Sequence, residues 1–174
     1  HYVPCYVIIN NLEFDHADIF KDLDQIKVQF KKLIDLTPDK KLIFANLDDK
    51  NVRDLIAELG LLESVSGVLP YDGAASGESY VYLSSDEPVE DSGDDILWRA
   101  KIHSKVLGAL DIETRLAGKH NVANICQAIA VVSKMIETQA IKSRPGLGAE
   151  LCEAIRQFKG VKRRMELLAN KNNI

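Results

Sequence analysis

Apolar and polar positions fall along the chain in blocks whose period changes several times. Tyr6-Val7-Ile8-Ile9 is a continuous apolar run rich in β-branched residues, the pattern of a parallel strand buried on both faces. It gives way to Asn10-Asn11 and then to the polar segment Glu13-Phe14-Asp15-His16-Ala17-Asp18. A helix is predicted next, because Leu23, Ile26, Phe30, Leu33 and Ile34 share one helical stripe, Asp22-x-x-Gln25 resembles a capping box, and Pro38 ends the pattern. Lys41 to Ala45 reads as a second short buried strand, with Asn46-Leu47-Asp48-Asp49 as its polar exit. Val52, Leu55, Ile56 and Leu59 then space as a helix closed by Gly60. Strand, helix, strand, helix in this order implies a parallel α/β sheet, in which ligands bind at the loops leaving the carboxyl ends of the strands. The loop from Asn11 to Asp18 is the first place to look for chemistry.

From Ser64 to Ser104 the texture changes to short β-prone runs, Tyr80-Val81-Tyr82-Leu83 and Ile96-Leu97-Trp98, separated by Gly, Ser and acidic stretches. Ser84 to Asp95 holds six acids and no base, which predicts a mobile acidic surface loop. Val106 to Leu116 is strand-like as far as Gly118. Two helices follow. The first carries Val122, Ile125, Ile129, Val132 and Ile136 on one stripe; the second carries Leu147, Leu151, Ile155 and Phe158 and is expected to end at Gly160, a natural left-handed cap. Arg164 to Leu168 alternates polar and apolar like a strand.

Composition narrows the class. The 174 residues are 46% hydrophobic and 28% charged, close to the globular average, which excludes a mostly disordered, collagenous or disulfide-scaffold chain. With 22 Lys and Arg against 26 Asp and Glu the net charge is −4; this argues against nucleic acid or an anionic membrane as the main partner, while a local basic site for one small phosphorylated ligand stays possible. Cys5, Cys126 and Cys152 are too few and too scattered for a disulfide framework, so reduced, mostly buried thiols in a cytoplasmic protein are expected. No apolar run approaches the roughly 20 residues needed to span a bilayer, and none reads as a signal peptide. The chain opens at His1 without Met and enters a strand-like run at once, as a piece of a longer polypeptide would.

Three clusters could carry chemistry. Asn11 to Asp18 offers three carboxylates, an imidazole and an amide within eight residues, donors suited to Mg²⁺ held against nucleotide phosphates, or simply a solvated turn with a helix cap. In Gly118-Lys119-His120-Asn121-Val122-Ala123-Asn124, at a helix start, Asn121 and Asn124 are three apart and His120 is four before Asn124. These side chains converge beside a positive helix end, where an amide can read an adenine edge, or where Asn merely caps the helix. Lys159-Gly160-Val161-Lys162-Arg163-Arg164-Met165-Glu166 places four cations within six positions, able to grip a polyphosphate or to form a solvated basic surface. No GxxxxGK[ST] phosphate loop is present, so a complete ATP site cannot be assembled from these residues.

Taken together, Asn11-Leu12-Glu13-Phe14-Asp15-His16-Ala17-Asp18, Gly118 to Asn124 and Phe158 to Glu166 resemble the central domain of the Mur ligases in order and spacing. The NLEFDHADIF and FKGVKRRME forms look most like the murein peptide ligase branch of that family. The resemblance implies an α/β fold, a mostly parallel P-loop-type sheet flanked by helices with a small additional β region. Residues 1–169 would be the later part of the ATP-binding domain, beyond its phosphate loop, and 170–174 the start of a linker. It further implies an ATP- and Mg²⁺-dependent ligase that activates UDP-N-acetylmuramate as an acyl phosphate, for attack by the amine of a murein tripeptide. By the same resemblance, His16 ligates Mg²⁺, and Glu13 and Asp18 stand near the metal or reach it through water. Asn124 reads the adenine with His120 and Asn121 beside it, and Arg164 contacts the ATP phosphates. Lys31 stands where several Mur ligases carry a carbamylated lysine. The alternatives are a UDP-N-acetylmuramate:L-alanine ligase, a folylpolyglutamate synthase-like ligase, or a non-catalytic nucleotide-binding module that keeps the fold.

Overall fold

The computed structural model describes residues 3–14, 19–71, 79–90, 96–116 and 118–161. Its elements run β1 (Val7–Ile9), α1 (Leu23–Asp35), a single 3-10 turn, β2 (Ile43–Asn46), α2 (Lys50–Glu58), β3 (Ser66–Leu69), β4 (Val81–Glu90), β5 (Ile96–Ser104), β6 (Gly108–Thr114), α3 (Lys119–Glu137) and α4 (Leu147–Gln157). The six strands stand side by side in chain order. β1 to β4 pair in parallel, whereas β4, β5 and β6 pair antiparallel. The α/β architecture expected from the residues is thus present, with its additional β region fused to one edge of the parallel sheet.

Helix starts follow the capping chemistry. Asp22 accepts a hydrogen bond from the Gln25 N–H at 2.9 Å, and the Gln25 side chain accepts from the Lys21 N–H at 3.1 Å, a box closed one residue before the cap. Asp49 caps α2 by accepting from Val52 N–H at 2.8 Å. Gly118 caps α3 with φ 96° and no side-chain bond, so Asn capping is not what places Asn121 and Asn124.

The sheet separates two apolar layers. Val7, Ile9, Ile43 and Ala45 face α1 and α2, where Ile34, Val52, Leu55 and Ile56 close the layer. Phe44, Val68, Val81, Leu83, Ala100, Ile102 and Ile112 face α3, meeting Val122, Cys126 and Ile129. β2 is buried along its whole length, as expected of a central parallel strand. β1 departs from that expectation: Ile8 is 49% exposed, because β1 is the edge strand and α3 packs chiefly across β2 to β5.

Register fixes the levels. Ile9 lies opposite Ala45, Asn46 opposite Val68, and Val68 opposite Val81. The carboxyl ends of β1, β2 and β3 are therefore level, and β4 starts near that level and runs on past it. This corrects the loop expected from Ser84 to Asp95: residues 84–90 continue β4, and 91–95 lie outside the described residues. Glu87 is tolerated in the strand because its face of the antiparallel pair is open, in register with Arg99, with Ser85 likewise opposite Lys101. A second correction concerns α4, which ends at Gln157; Phe158 is already extended, and Gly160, at φ 91°, turns the chain beyond the helix. The strand expected over Arg164 to Leu168 lies outside the described residues. No helix among the described residues is long and apolar enough to cross a membrane.

The three cysteines are free. Cys126 is buried, Cys152 half-buried, and Cys5, against expectation, exposed. Burial, reinforced by the negative charge of Asp48, pushes the Cys126 thiol up to about 12. A thiol raised in the folded state contributes nothing pH-dependent below its unfolded value near 8.5. It then withdraws stability as pH climbs from there toward 12. Alkylation at pH 8 followed by mass spectrometry is expected to modify Cys5 and to leave Cys126 untouched until denaturant is added. Ile129, 0% exposed between α3 and the sheet, should cost about 2–5 kcal/mol when replaced by Ala, read from a denaturant midpoint at unchanged slope.

Candidate functional site at the carboxyl ends of the parallel strands

An open cavity of about 320 Å³ sits where β1, β2 and β3 end, as the loop rule for parallel sheets requires. Asn10 and Asn11 enter it from the end of β1, Asn46 from the end of β2, Asp48 and Asp49 from the loop to α2, Tyr71 from beyond β3, and His120 and Asn124 from the first turns of α3.

Hydrogen bonds between these segments hold the lining together. Asn46, buried, donates from Nδ2 to the Asn10 carbonyl at 2.8 Å and accepts on Oδ1 from the Asp48 N–H at 3.0 Å. Asp48 Oδ2 accepts from the Tyr71 N–H at 2.7 Å, so one short path joins the ends of β1, β2 and β3. Asn10 then donates from Nδ2 to Asn124 Oδ1 at 2.7 Å, carrying the path to α3. On the far side, Asn51 donates to the carbonyl of buried Leu12 at 2.8 Å and anchors the loop after β1 to α2.

The lining brings both signs together: the carboxylates of Asp48 and Asp49 share it with His120 at the amino end of α3. Burial raises the Tyr71 hydroxyl above its ordinary value, and the neighbouring Asp48 charge adds to the shift. His120 is folded over Gly118: a Cβ on that glycine would lie 2.8 Å from His120 Cε1, so the absence of a side chain there gives the imidazole its place.

Of the residues singled out in the sequence, the structure brings His120 and Asn124 into this cavity, one turn apart on α3. Asn121 lies between them on the helix but outside the lining, its N–H donating to the Gly118 carbonyl at 3.0 Å. Glu13 is one contact removed, accepting from Asn11 Nδ2 at 2.9 Å. His16, Asp18 and Arg164 lie outside the described residues. Among the described residues no three His, Cys, Asp or Glu side chains converge to hold a metal ion. Lys31 pairs with Glu58 of α2 at 3.4 Å, beside Lys27 at 3.5 Å, in a surface contact between helices and not in the cavity lining. Phe158 and Lys159 from the third cluster line a separate cavity with Arg115 and Arg156, between the end of β6 and the end of α4. There Arg156 is engaged by Glu153 at 2.8 and 2.9 Å.

Asn10, Asn46, Asp48, Asp49 and Tyr71 were not singled out as site residues. The polar exit Asn46 to Asp49 carried the needed signal, because the rule that pointed to the loop after β1 applies equally to the loop after β2. Tyr71 carried none, since Ser66 to Leu69 did not read as a strand.

Comparison with known proteins identifies the family and supports the fold. The family model for the Mur ligase middle domain matches residues 1–132. A UDP-N-acetylmuramate–L-alanine ligase of Caldicellulosiruptor bescii is 31% identical over 173 residues, covering 98% of this chain and 33% of its own. The ligase of the same name from Dictyoglomus turgidum is 32% identical over 165 residues, covering 94% and 31% respectively. The chain thus spans about a third of the length of the curated relatives it matches. Among solved structures, the UDP-N-acetylmuramate:L-alanyl-γ-D-glutamyl-meso-diaminopimelate ligase of Neisseria meningitides superposes with a TM-score of 0.62 at 27% identity, over 94% of this chain and 43% of that one. The UDP-N-acetylmuramate–alanine ligase of Thermotoga maritima, at a TM-score of 0.65 and 19% identity over 98% of this chain and 33% of that one, shares the fold. By the match over most of its length, the chain belongs to the Mur ligase middle domain family.

Proposed function

We propose that this chain is the nucleotide-binding part of an ATP- and Mg²⁺-dependent ligase of cytoplasmic peptidoglycan metabolism, joining UDP-N-acetylmuramate to a murein tripeptide. The observation that carries the reading is the cavity at the strand ends, in which a family match and an amide-lined wall coincide. Asn124, with His120 beside it, would take the adenine; amides donate to and accept from a base edge without bringing a charge that water must compensate. Arg164 would meet the phosphates, where a guanidinium binds bidentately. His16, with Glu13 near it, would hold Mg²⁺, which when bound neutralises charge developing on phosphoryl oxygens. The chain's own residues supply binding and orientation, and the carboxylate is activated by phosphoryl transfer so that the amine displaces phosphate to form the amide.

The tripeptide as amine donor is supported by the NLEFDHADIF and FKGVKRRME forms and by the likeness to the Neisseria ligase. A second reading, L-alanine as the amine, is favoured by the names of the 31–32% identical relatives. Steady-state assays on the full-length ligase separate the two. ATP hydrolysis is expected only when UDP-N-acetylmuramate and the tripeptide are both present, and turnover with L-alanine in its place would decide for the second reading. His16→Ala should lower turnover by about a hundredfold or more with an unchanged melting temperature; unaltered turnover would remove His16 from the metal site.

A further inference from the structure

We infer that Asn10 is a positioning residue that sets which end of the Asn124 amide faces the nucleotide base; the inference rests on the adenine-reading role proposed for Asn124. Asn124 Oδ1 accepts from Asn10 Nδ2 at 2.7 Å. With its oxygen turned toward the end of β1, Asn124 is left with Nδ2 as the end presented to the cavity, where it donates to no acceptor among the described residues. The site therefore offers the base a donor at this point and selects a ring-nitrogen acceptor on the ligand.

Two observations fix the orientation. The backbone of Asn10 is pinned, because Asn46 Nδ2 donates to its carbonyl at 2.8 Å and Asn46 is itself buried. The other end of the Asn10 side chain, Oδ1, is buried without a partner. Turning the Asn10 amide end for end would bury an unpaired N–H in place of an unpaired oxygen, and orphaned buried donors are the rarer case. Asn10 thus keeps its donor on Asn124, and the polarity passes from the sheet to the helix. In this arrangement β2 holds β1, and β1 orients the reading residue of α3.

The test is steady-state kinetics on the full-length ligase, with ATP as the varied substrate and melting temperature as the control for folding. Asn10→Ala frees Asn124 to rotate and should raise KM for ATP about three- to tenfold, with kcat falling less than KM rises. Asn10→Asp matches Asn in shape but can only accept, so it draws Asn124 Nδ2 toward itself and should raise KM further than Ala does. A residue that only fills space predicts the opposite order, with Asp near wild type and Ala the more damaged. Adding Asn10→Ala to Asn124→Ala should cause no further rise, because the two act through one amide. An Asp variant no worse than Ala, or additive effects in the double variant, would overturn the inference. If Asn124→Ala raises KM while Asn10→Ala does not, this inference alone falls; if Asn124→Ala leaves KM unchanged, the adenine-reading role falls with it.

Discussion

The buried amide of Asn46 is the contact on which sheet and site both depend. It stands at the last position of a strand that is buried throughout, so its polar atoms must find partners inside the protein. It finds them in the Asn10 carbonyl on one side and the Asp48 N–H on the other. Each partner is the first residue or loop beyond a strand end, and satisfying one buried side chain therefore sets where two loops leave the sheet. Tyr71 N–H joins through Asp48 Oδ2. A site built in this way is coupled to the stability of the sheet beneath it, because the hydrogen bonds that shape the cavity are those that keep a buried amide satisfied.

The second constraint is the mixed sheet. Parallel pairing from β1 to β4 brings strand ends to one level, while the switch to antiparallel pairing at β4 lets that strand continue beyond the level at which β3 stops. α3 lies across both halves, and its core contacts with Val68, Leu83 and Ile102 set its height above the sheet. His120 and Asn124 are consequently placed by apolar packing a little further along the same helix, around Cys126 and Ile129. The elevated thiol of Cys126, two residues beyond Asn124, marks the depth of that packing.

What the sequence disclosed divides along locality. α1, α2 and α3 were legible because their stripes and caps are local, and His120 and Asn124 because one helical turn brings them together whatever the rest of the fold does. β3 was hidden by its glycine: Gly67 stands where a Cβ would crowd Leu47 Cδ1 at 2.6 Å, and a glycine within a four-residue strand erases the strand signal. The second half of β4 was hidden by its acids, since composition speaks for a loop while the pairing that makes it a strand comes from β5. Asn10, Asp48 and Tyr71 share a cavity only through the register of three strands, a non-local fact that no spacing along the chain records.

The chemistry of the lining follows from its openness. In a cavity reached by water, a charge used for recognition must be partly desolvated each time a ligand arrives, whereas a neutral amide exchanges a water for a base edge at little cost. Asn10, Asn11, Asn46 and Asn124 supply four amides, and the carboxylates of Asp48 and Asp49 are committed to backbone N–H groups of Tyr71 and Val52. Those acids hold loops in place, and if the amides read a base as proposed, discrimination rests on the direction in which an amide points. A side-chain amide has two ends of similar shape and opposite hydrogen-bonding sense, so direction is information only if something else fixes it, and in this fold that is the end of the edge strand.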